Sequence, residues 1–268
     1  MLKDITLGQY FPGKSPIHLM DPRAKLIMLV VYIVGLFVST GWLSYGLMFV
    51  FLALIIKIST IPVKSILKGL KPLVVILCFT GILNLFFTEG ENLLPESWPV
   101  AITKEGIVRA VLMVARIMML VSGTFLLTYT TSPIALTDGL ESLMNPLKKI
   151  KVPVHELAMM MCIALRFIPT LIEETDKIMS AQKARGADFE SGNLIERAKA
   201  LVPILVPLFI GAFRRADELA TAMECRCYHG GEGRTKMKLL RYNLRDFEAF
   251  GAGVLLVVGV AVLASFGL

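Results

Sequence analysis

Long apolar runs alternate with short polar segments through the N-terminal half of the chain, which is the pattern of membrane-spanning helices. Residues 26–56 form one nearly unbroken apolar run of 31 residues. A single helix of that length would measure about 46 Å, whereas the hydrocarbon core of a membrane is roughly 30 Å thick. The run therefore predicts two short spans joined by a turn at Ser39, Thr40, Gly41 and Ser44. Basic residues flank the run on both sides, so we expect both flanks in the cytoplasm.

Three further apolar segments predict three more spans. A third span, at about 72–87, leads into the acidic segment 89–103, which we expect outside the cell. A fourth span, at roughly 106–130, returns inward, and a last span follows at about 247–266. The pattern thus predicts an all-α, multi-pass protein of the cell membrane with five transmembrane helices and a cytoplasmic N-terminus.

The fourth span carries two arginines, Arg109 and Arg116, which share one helical face because they are seven residues apart. The long side chain of Arg109 can reach the outer surface of the membrane. Arg116 lies deeper, where a charge is costly and usually faces protein or water. The sequence leaves open whether Arg116 packs helices together or acts directly in function.

Residues 132–245 hold 17 basic and 13 acidic residues, and we expect no window in them to be apolar enough to span a membrane. A helix start signal occurs at Ser132-Pro133, and apolar residues at 3- and 4-residue steps predict two more helices, from near Val154 and from about Leu194. The second and third of these helices keep their apolar residues to one side, so they should lie along the membrane or pack on other subunits. The chain is therefore predicted to have three parts, which are an N-terminal arm with four spans at 1–131, a cytoplasmic domain of long amphipathic helices at 132–245, and a last span at 246–268.

Composition agrees with a membrane protein, since 55% of residues are hydrophobic, 18% are charged and the mean hydropathy is +0.69. The net charge of +7 raises nucleic-acid binding as an alternative, but acidic residues are interleaved with the basic ones and leave no continuous basic patch. The first four spans contain no Asp or Glu. Proton-coupled carriers and Mg²⁺-dependent membrane enzymes need carboxylates, so a stand-alone carrier or a membrane enzyme is the less favoured alternative. We predict no cofactor and no nucleic-acid partner.

Two short motifs resemble ligand sites without the context that such sites require. Residues 8–15, GQYFPGKS, match the phosphate-binding loop pattern, but Pro16 and Pro22 interrupt the long helix that should follow. Cys225-x-Cys227-x-His229 suggests a metal, yet structural zinc sites need four ligands and no second pair is nearby. We therefore predict a turn-rich arm at the first motif and no metal site at the second.

An internal repeat with an offset of 41 residues relates segment 176–186 to segment 217–227. Arg185 and Arg226 occupy the same position in the two copies, and small residues flank each of them. We expect each helix to stop just past its arginine, with Gly186 and Gly230-Gly231 as the stop signals. A single arginine there would merely complement the helix dipole, but the duplication favours recognition of an acidic groove on a partner. The predicted contact residues are Ala184, Arg185, Gly186, Cys225, Arg226 and Cys227.

Residues 8–26, GQYFPGKSPIHLMDPRAKL, together with the two X-Arg-X tips, resemble the transmembrane T component of energy-coupling factor transporters. These are ABC-type importers of vitamins and trace nutrients, and the resemblance covers essentially the whole chain. One departure is the second tip, where Cys-Arg-Cys replaces the Ala-Arg-Gly that is frequent in that family. The resemblance implies a scaffold that is not itself an enzyme. It would join two cytoplasmic ATPases to a substrate-binding S component in the bilayer, with Arg185 and Arg226 each seated in a groove of one ATPase.

Overall fold

The computed structural model describes residues 10–88, 103–189, 193–231 and 239–266. Across these ranges the chain forms nine α-helices and no strand, which confirms the all-α prediction. Two short 3₁₀ segments, Lys71–Leu73 and Asn145–Ile150, precede α4 and α7. The helices are α1 (Pro22–Val38), α2 (Trp42–Ser59), α3 (Val63–Leu70), α4 (Val74–Phe87), α5 (Lys104–Thr130), α6 (Pro133–Met144), α7 (Val154–Ala184), α8 (Leu194–Glu224) and α9 (Leu244–Ser265).

The chain divides into two compact units, each described by itself. The membrane unit comprises Gly8–Leu143 and Leu240–Leu268, and it contains α1 to α5, nearly all of α6, and α9. The hairpin unit is built on Met144–Leu239 and contains α7 and α8.

Five helical segments in the described part of the chain are long and apolar enough to cross a membrane, which confirms the predicted number but not the predicted set. α1, which was predicted as the first span, is 17 residues long, one residue shorter than the shortest of these segments, and is not among them. α7 qualifies instead, so the expectation that no window in 132–245 could span was wrong. The reason is that the first half of α7 contains few charged side chains. The five segments are Trp42–Ser59, Val63–Phe87, Lys104–Thr130, Val154–Ala184 and Leu244–Ser265.

Polar side chains fix where the helices of the membrane unit begin. The Asp21 carboxylate accepts a hydrogen bond from the Arg23 backbone N–H at 2.9 Å, and Pro22 occupies the first helical turn. Thr103 Oγ1 accepts from the Gly106 N–H at 3.0 Å and starts α5. The turn between α1 and α2 is shorter than predicted, because Ser44 lies buried inside α2.

Helices α1, α2, α5 and α9 enclose the core of the membrane unit, which includes Leu36, Met48 and Val260. Glycines bring the helices close together. A Cβ atom added to Gly123 would lie 2.8 Å from the Tyr32 ring. Close approach through small residues is how helices associate in lipid, where the hydrophobic effect gives little drive.

Arg116 joins α5 to the hairpin of α1 and α2. Its Nη2 donates to the Ser39 carbonyl at 3.0 Å, at the C-terminal end of α1, where a positive charge complements the helix dipole. Its guanidinium also lies 5.5 Å from the centre of the Tyr45 ring and 5.7 Å from that of Phe37. These contacts give Arg116 a role in helix packing. Arg109 is exposed.

Two glycine contacts between helices, at Gly123 in α5 and at Gly253 in α9, predict opposite responses to an added methyl group. Gly123→Ala should destabilise the membrane unit by about 1 to 3 kcal/mol, because the added Cβ would lie 2.8 Å from the Tyr32 ring, which must then shift away from its hydrogen bond to the Met119 carbonyl. Gly253→Ala should be neutral or slightly stabilising, since the added Cβ would crowd the flexible end of Met28, would lie at ordinary contact distance from Val31, and alanine favours the helix. Thermal unfolding of the two purified variants in detergent compares them, and equal losses would contradict the packing described here.

Candidate functional site

Helices α7 and α8 pack against each other in antiparallel orientation. Glu174, two thirds along α7, forms an ion pair with Arg215, two thirds along α8, at 2.7 Å. Nearer the end of α7, Gln182 Nε2 donates to the carbonyl of Pro203, a third of the way along α8, at 3.4 Å. That carbonyl is available because its helical partner four residues on is Pro207, which has no N–H. The end of α7 therefore lies about a third of the way along α8.

Glycine and aromatic neighbours hold the central ion pair in place. A Cβ at Gly211 would lie 2.9 Å from Glu174 Oε1, so the carboxylate would have to shift from its present position if this glycine carried a side chain. The Arg215 guanidinium lies 5.6 Å from the centre of the Phe167 ring. Both charged side chains are partly exposed, so the ion pair contributes more to the register of the helices than to their stability.

Both helices end in the same Schellman motif, in which the two residues after the cap bond back into the last turn. At the first tip, the N–H of Gly186 donates to the Lys183 carbonyl at 3.0 Å and that of Ala187 to the Gln182 carbonyl at 3.0 Å. Arg185 is the capping residue.

The second tip repeats this motif at the same 41-residue offset. The N–H of Cys227 donates to the Glu224 carbonyl at 2.8 Å and that of Tyr228 to the Met223 carbonyl at 3.1 Å. Arg226 therefore takes the capping position that Arg185 takes at the first tip. The sequence repeat corresponds to a repeated backbone structure.

The stop signal was predicted correctly for α7 and wrongly for α8. Gly186 adopts the left-handed conformation with φ of +88°, as expected of a residue after a helix cap. In α8 the left-handed residue directly after the cap is Cys227, with φ of +56°, and Gly230, with φ of +96°, lies three residues further along the chain. A side chain in this conformation costs roughly 1 kcal/mol, so the second tip is formed at some cost to local stability.

Arg185 and Arg226 are both exposed. Within the described part of the chain, neither guanidinium takes part in a hydrogen bond or ion pair. Ala184 and Cys225 precede them and are exposed as well, so no bulky neighbour shields either charge. The structure does not bring the six predicted contact residues together. It places them in two sets of three, one at each end of the α7–α8 pair.

The separation of the two sets follows from the register. Each arginine lies eleven residues beyond its member of the Glu174–Arg215 ion pair. At 1.5 Å per residue this is about 16 Å of helix in opposite directions, so the tips lie on the order of 30 Å apart. The two members of the ion pair are related by the same 41-residue offset as the two tips. The backbones of the two antiparallel helices therefore have an approximate local twofold symmetry about the ion pair. Sequence inspection missed the ion pair, although its members are themselves 41 residues apart.

A buried charged cluster at one end of the membrane unit was also missed from the sequence. Asp246 is fully buried, and its carboxylate accepts from the backbone N–H of Asp21 at 2.9 Å and of Asn243 at 2.7 Å. The Lys25 ammonium donates to the Thr130 carbonyl at 2.9 Å. Arg23 forms a two-pronged ion pair with Asp21, at 2.8 and 3.1 Å. The available signal was the pair of N-cap patterns, Asp21-Pro22 and Asn243 followed three residues later by Asp246.

The apparent phosphate-binding loop is part of a turn-containing arm, as predicted; its first two residues, Gly8 and Gln9, lie outside the described residues. His18 Nε2 donates to the Phe11 carbonyl at 3.0 Å, so Nδ1 of the neutral ring accepts from the Ser15 hydroxyl at 2.6 Å. Burial lowers the pKa of His18, which favours this neutral form. Since a Cβ at Gly13 would lie 2.8 Å from the same ring, this glycine serves the packing of the arm.

At the Cys225-x-Cys227-x-His229 motif, His229 Nδ1 donates to the Cys227 carbonyl at 2.9 Å. Among the described residues, no group of three or more His, Cys, Asp or Glu side chains is placed to hold a metal ion.

Comparison with known proteins agrees with this architecture. The model of the cobalt transport protein family, CbiQ, matches residues 13–237. The energy-coupling factor transporter transmembrane protein EcfT of Thermosediminibacter oceani is 56% identical over 258 residues, covering 96% of this chain and 97% of the relative. EcfT of Ruminiclostridium cellulolyticum is 54% identical, covering 98% of both chains, and EcfT of Lactococcus lactis is 44% identical, covering 98% of this chain and 96% of the relative.

The fold and the site define an α-helical, multi-pass membrane protein that carries a pair of antiparallel helices with an exposed arginine at each end. The chain belongs to the CbiQ/EcfT family of energy-coupling factor transporter transmembrane proteins.

The difference between the two tips predicts opposite effects of two substitutions. Cys227→Gly should stabilise the second tip by up to about 1 kcal/mol, because glycine adopts a positive φ without strain. Gly186→Ala should destabilise the first tip by about 1 kcal/mol through the backbone alone, since no atom lies within 4 Å of the added Cβ. Hydrogen exchange of the backbone amides at 186–187 and 227–228 measures both effects. Slower exchange in Gly186→Ala, or faster exchange in Cys227→Gly, would contradict the assignment.

Proposed function

We propose that this chain is the T component that couples two cytoplasmic ABC ATPases to a substrate-binding S component in an energy-coupling factor transporter. The observation that carries the proposal is the repeated, exposed arginine tip at opposite ends of α7 and α8. The names of the relatives support the same role, because each is the transmembrane protein of such a transporter.

Two partner subunits fit the geometry better than one. The tips are on the order of 30 Å apart and their helices end in opposite directions, so a single groove cannot receive both. The local twofold symmetry presents the same backbone motif twice, which favours two subunits that carry similar grooves. In this proposal Ala184, Arg185 and Gly186 contact one ATPase, and Cys225, Arg226 and Cys227 contact the other.

The chemistry of each contact is that of a guanidinium entering an acidic groove. Arginine presents a planar fork that can bind a carboxylate with two parallel hydrogen bonds, which a lysine ammonium cannot do. Small residues on both sides allow the helix end to enter the groove closely. The backbone carbonyls of the last turn are already engaged by the Schellman bonds, so docking leaves few polar groups of the tip unpaired.

Closure of the ATPases on ATP would then move the two tips, and with them α7 and α8. The ion pair of Glu174 and Arg215 would hold the two helices in register as they move. Large apolar side chains on α8, among them Leu205, Phe209 and Phe213, are exposed and available to contact a membrane partner. We propose that the S component is reoriented through such apolar faces and releases its vitamin or trace nutrient inward.

In this role residues 132–245 form the coupling domain, and its two arginine tips lie on the cytoplasmic side together with the N-terminus, which agrees with the basic flanks of the spans. ATP is hydrolysed by the partner subunits, and this chain is not an enzyme. The buried carboxylates Asp21 and Asp246 do not support a carrier or enzyme acting alone, because both serve as helix caps with backbone hydrogen-bond partners.

Removing the arginines should dissociate the ATPases one at a time. Loss of one partner of a desolvated charge pair costs about 2 to 5 kcal/mol, so Arg185→Ala and Arg226→Ala should each reduce the ATPase copies bound per chain from two to one. The double variant should bind none and abolish ATP-dependent uptake, and lysine at either position should restore little. Affinity purification through a tag on this chain, with quantification of the subunits, gives the readout.

The matched control is Arg214→Ala, which removes an exposed arginine of α8 that lies twelve residues before the second tip. This variant should keep both ATPases and full uptake. The proposal is wrong if the double alanine variant purifies with two ATPases and transports normally.

A further inference from the structure

The membrane unit contains an apolar cavity of about 330 Å³ that is open to the surface. It lies between α1, α2, α5 and α9, and its volume is within the range of small-molecule sites in proteins. Apolar side chains dominate its walls, among them Leu29, Leu52, Ile55, Leu126 and Leu127.

Charged residues line only the end of the cavity at which α1 and α9 begin. These charged residues are Lys25, Arg245 and Glu248. The Lys25 ammonium already donates to the carbonyls of His18 and Thr130 and to Thr131 Oγ1, at 3.3, 2.9 and 3.2 Å, so its hydrogen-bonding capacity is used within the protein.

Arg245 and Glu248, unlike Lys25, keep their hydrogen-bonding capacity available for a ligand. Both are exposed, and they share one face of the first turns of α9 because they are three residues apart. Within the described part of the chain, no ion pair joins them and neither has a hydrogen-bond partner. One free cation and one free anion therefore stand side by side at the entrance of an apolar cavity.

The depth of the cavity indicates what can fill it. Its lining reaches from Lys25 to Tyr32 along α1, seven residues or about 10 Å. Apolar groups of proteins that lie on a membrane enter the boundary between lipid headgroups and acyl chains to a similar depth. An apolar cavity offers water few partners, whereas hydrocarbon fills it without loss of hydrogen bonds.

We propose that this cavity binds an acyl chain of a phosphatidylethanolamine molecule whose phosphate is bound by Arg245 and whose ammonium group is bound by Glu248. A zwitterionic headgroup matches the two opposite charges, and the guanidinium can donate paired hydrogen bonds to the phosphate. An anionic lipid such as phosphatidylglycerol would leave Glu248 without a partner and close to a like charge. The bound lipid would brace α1 against α9, a role separate from the contact with the ATPases.

Native mass spectrometry of the detergent-purified full chain tests the proposal. The protein is incubated with an equimolar mixture of palmitoyl-oleoyl phosphatidylethanolamine and palmitoyl-oleoyl phosphatidylglycerol, and the retained lipid is identified by mass. We expect one phosphatidylethanolamine molecule per chain. Glu248→Gln should lower the preference for it over phosphatidylglycerol by about fivefold, as expected for one charge at a membrane surface, and Arg245→Gln should weaken retention of both lipids.

Two pairs of variants distinguish binding at the cavity from a general effect of added bulk or lost charge. The pairs are Ala252→Phe with Ala261→Phe, and Arg245→Gln with Arg109→Gln. Ala252→Phe, which fills the cavity, should abolish retention, whereas Ala261→Phe, at an exposed position nearer the other end of α9, should not. Arg109→Gln removes an exposed arginine that does not line the cavity and should bind lipid like the wild type. Thermal unfolding confirms that each variant is folded. Equal retention of the two lipids by the wild type, or wild-type retention by Ala252→Phe, would overturn the proposal.

Discussion

The register at which α7 packs against α8 determines where both arginine tips lie. The ion pair of Glu174 and Arg215 marks that register, and Gly211 provides the space in which the carboxylate lies. Because the pair stands eleven residues before Arg185 and Arg226, the two tips extend equally far in opposite directions. If α7 slipped along α8 by one helical turn, the distance between the tips would change by about 5.4 Å and the ion pair would break. The coupling function proposed for this chain depends on that symmetry, since two similar partners must be engaged at once.

The helices of the membrane unit are short, and burial of apolar surface gives little driving force for their association in a membrane. They are held together by glycine contacts, such as that of Gly123 with the Tyr32 ring, and by a hydrogen-bonded charged cluster at one end of the unit. Burying Asp246 would be costly if its carboxylate were left alone. It instead caps α9 and bonds to the start of α1, so the cost of burial is offset by fixing two helix ends together.

Much of the architecture could be predicted from local patterns. Apolar runs located most of the membrane helices, and the 41-residue repeat located both tips, because each signal lies within a short stretch of sequence. The prediction was wrong where tertiary context decides the outcome. Cys227 takes the left-handed position that glycine normally fills, since the Schellman bonds of the last turn outweigh its local preference. The contact of Asp21 with Asp246 joins residues 225 positions apart, and no local pattern encodes it.

The most direct test of the account is whether the two tips touch two different ATPase molecules. A photo-crosslinking amino acid is introduced in place of Ala184, in place of Cys225, and at both positions, within the assembled transporter. Each single variant should give an adduct of this chain with one ATPase. The double variant should give a species that contains this chain and two ATPases. A double variant that yields only adducts with one ATPase, or no adduct at all, would contradict the claim that the repeated tips are two separate anchors.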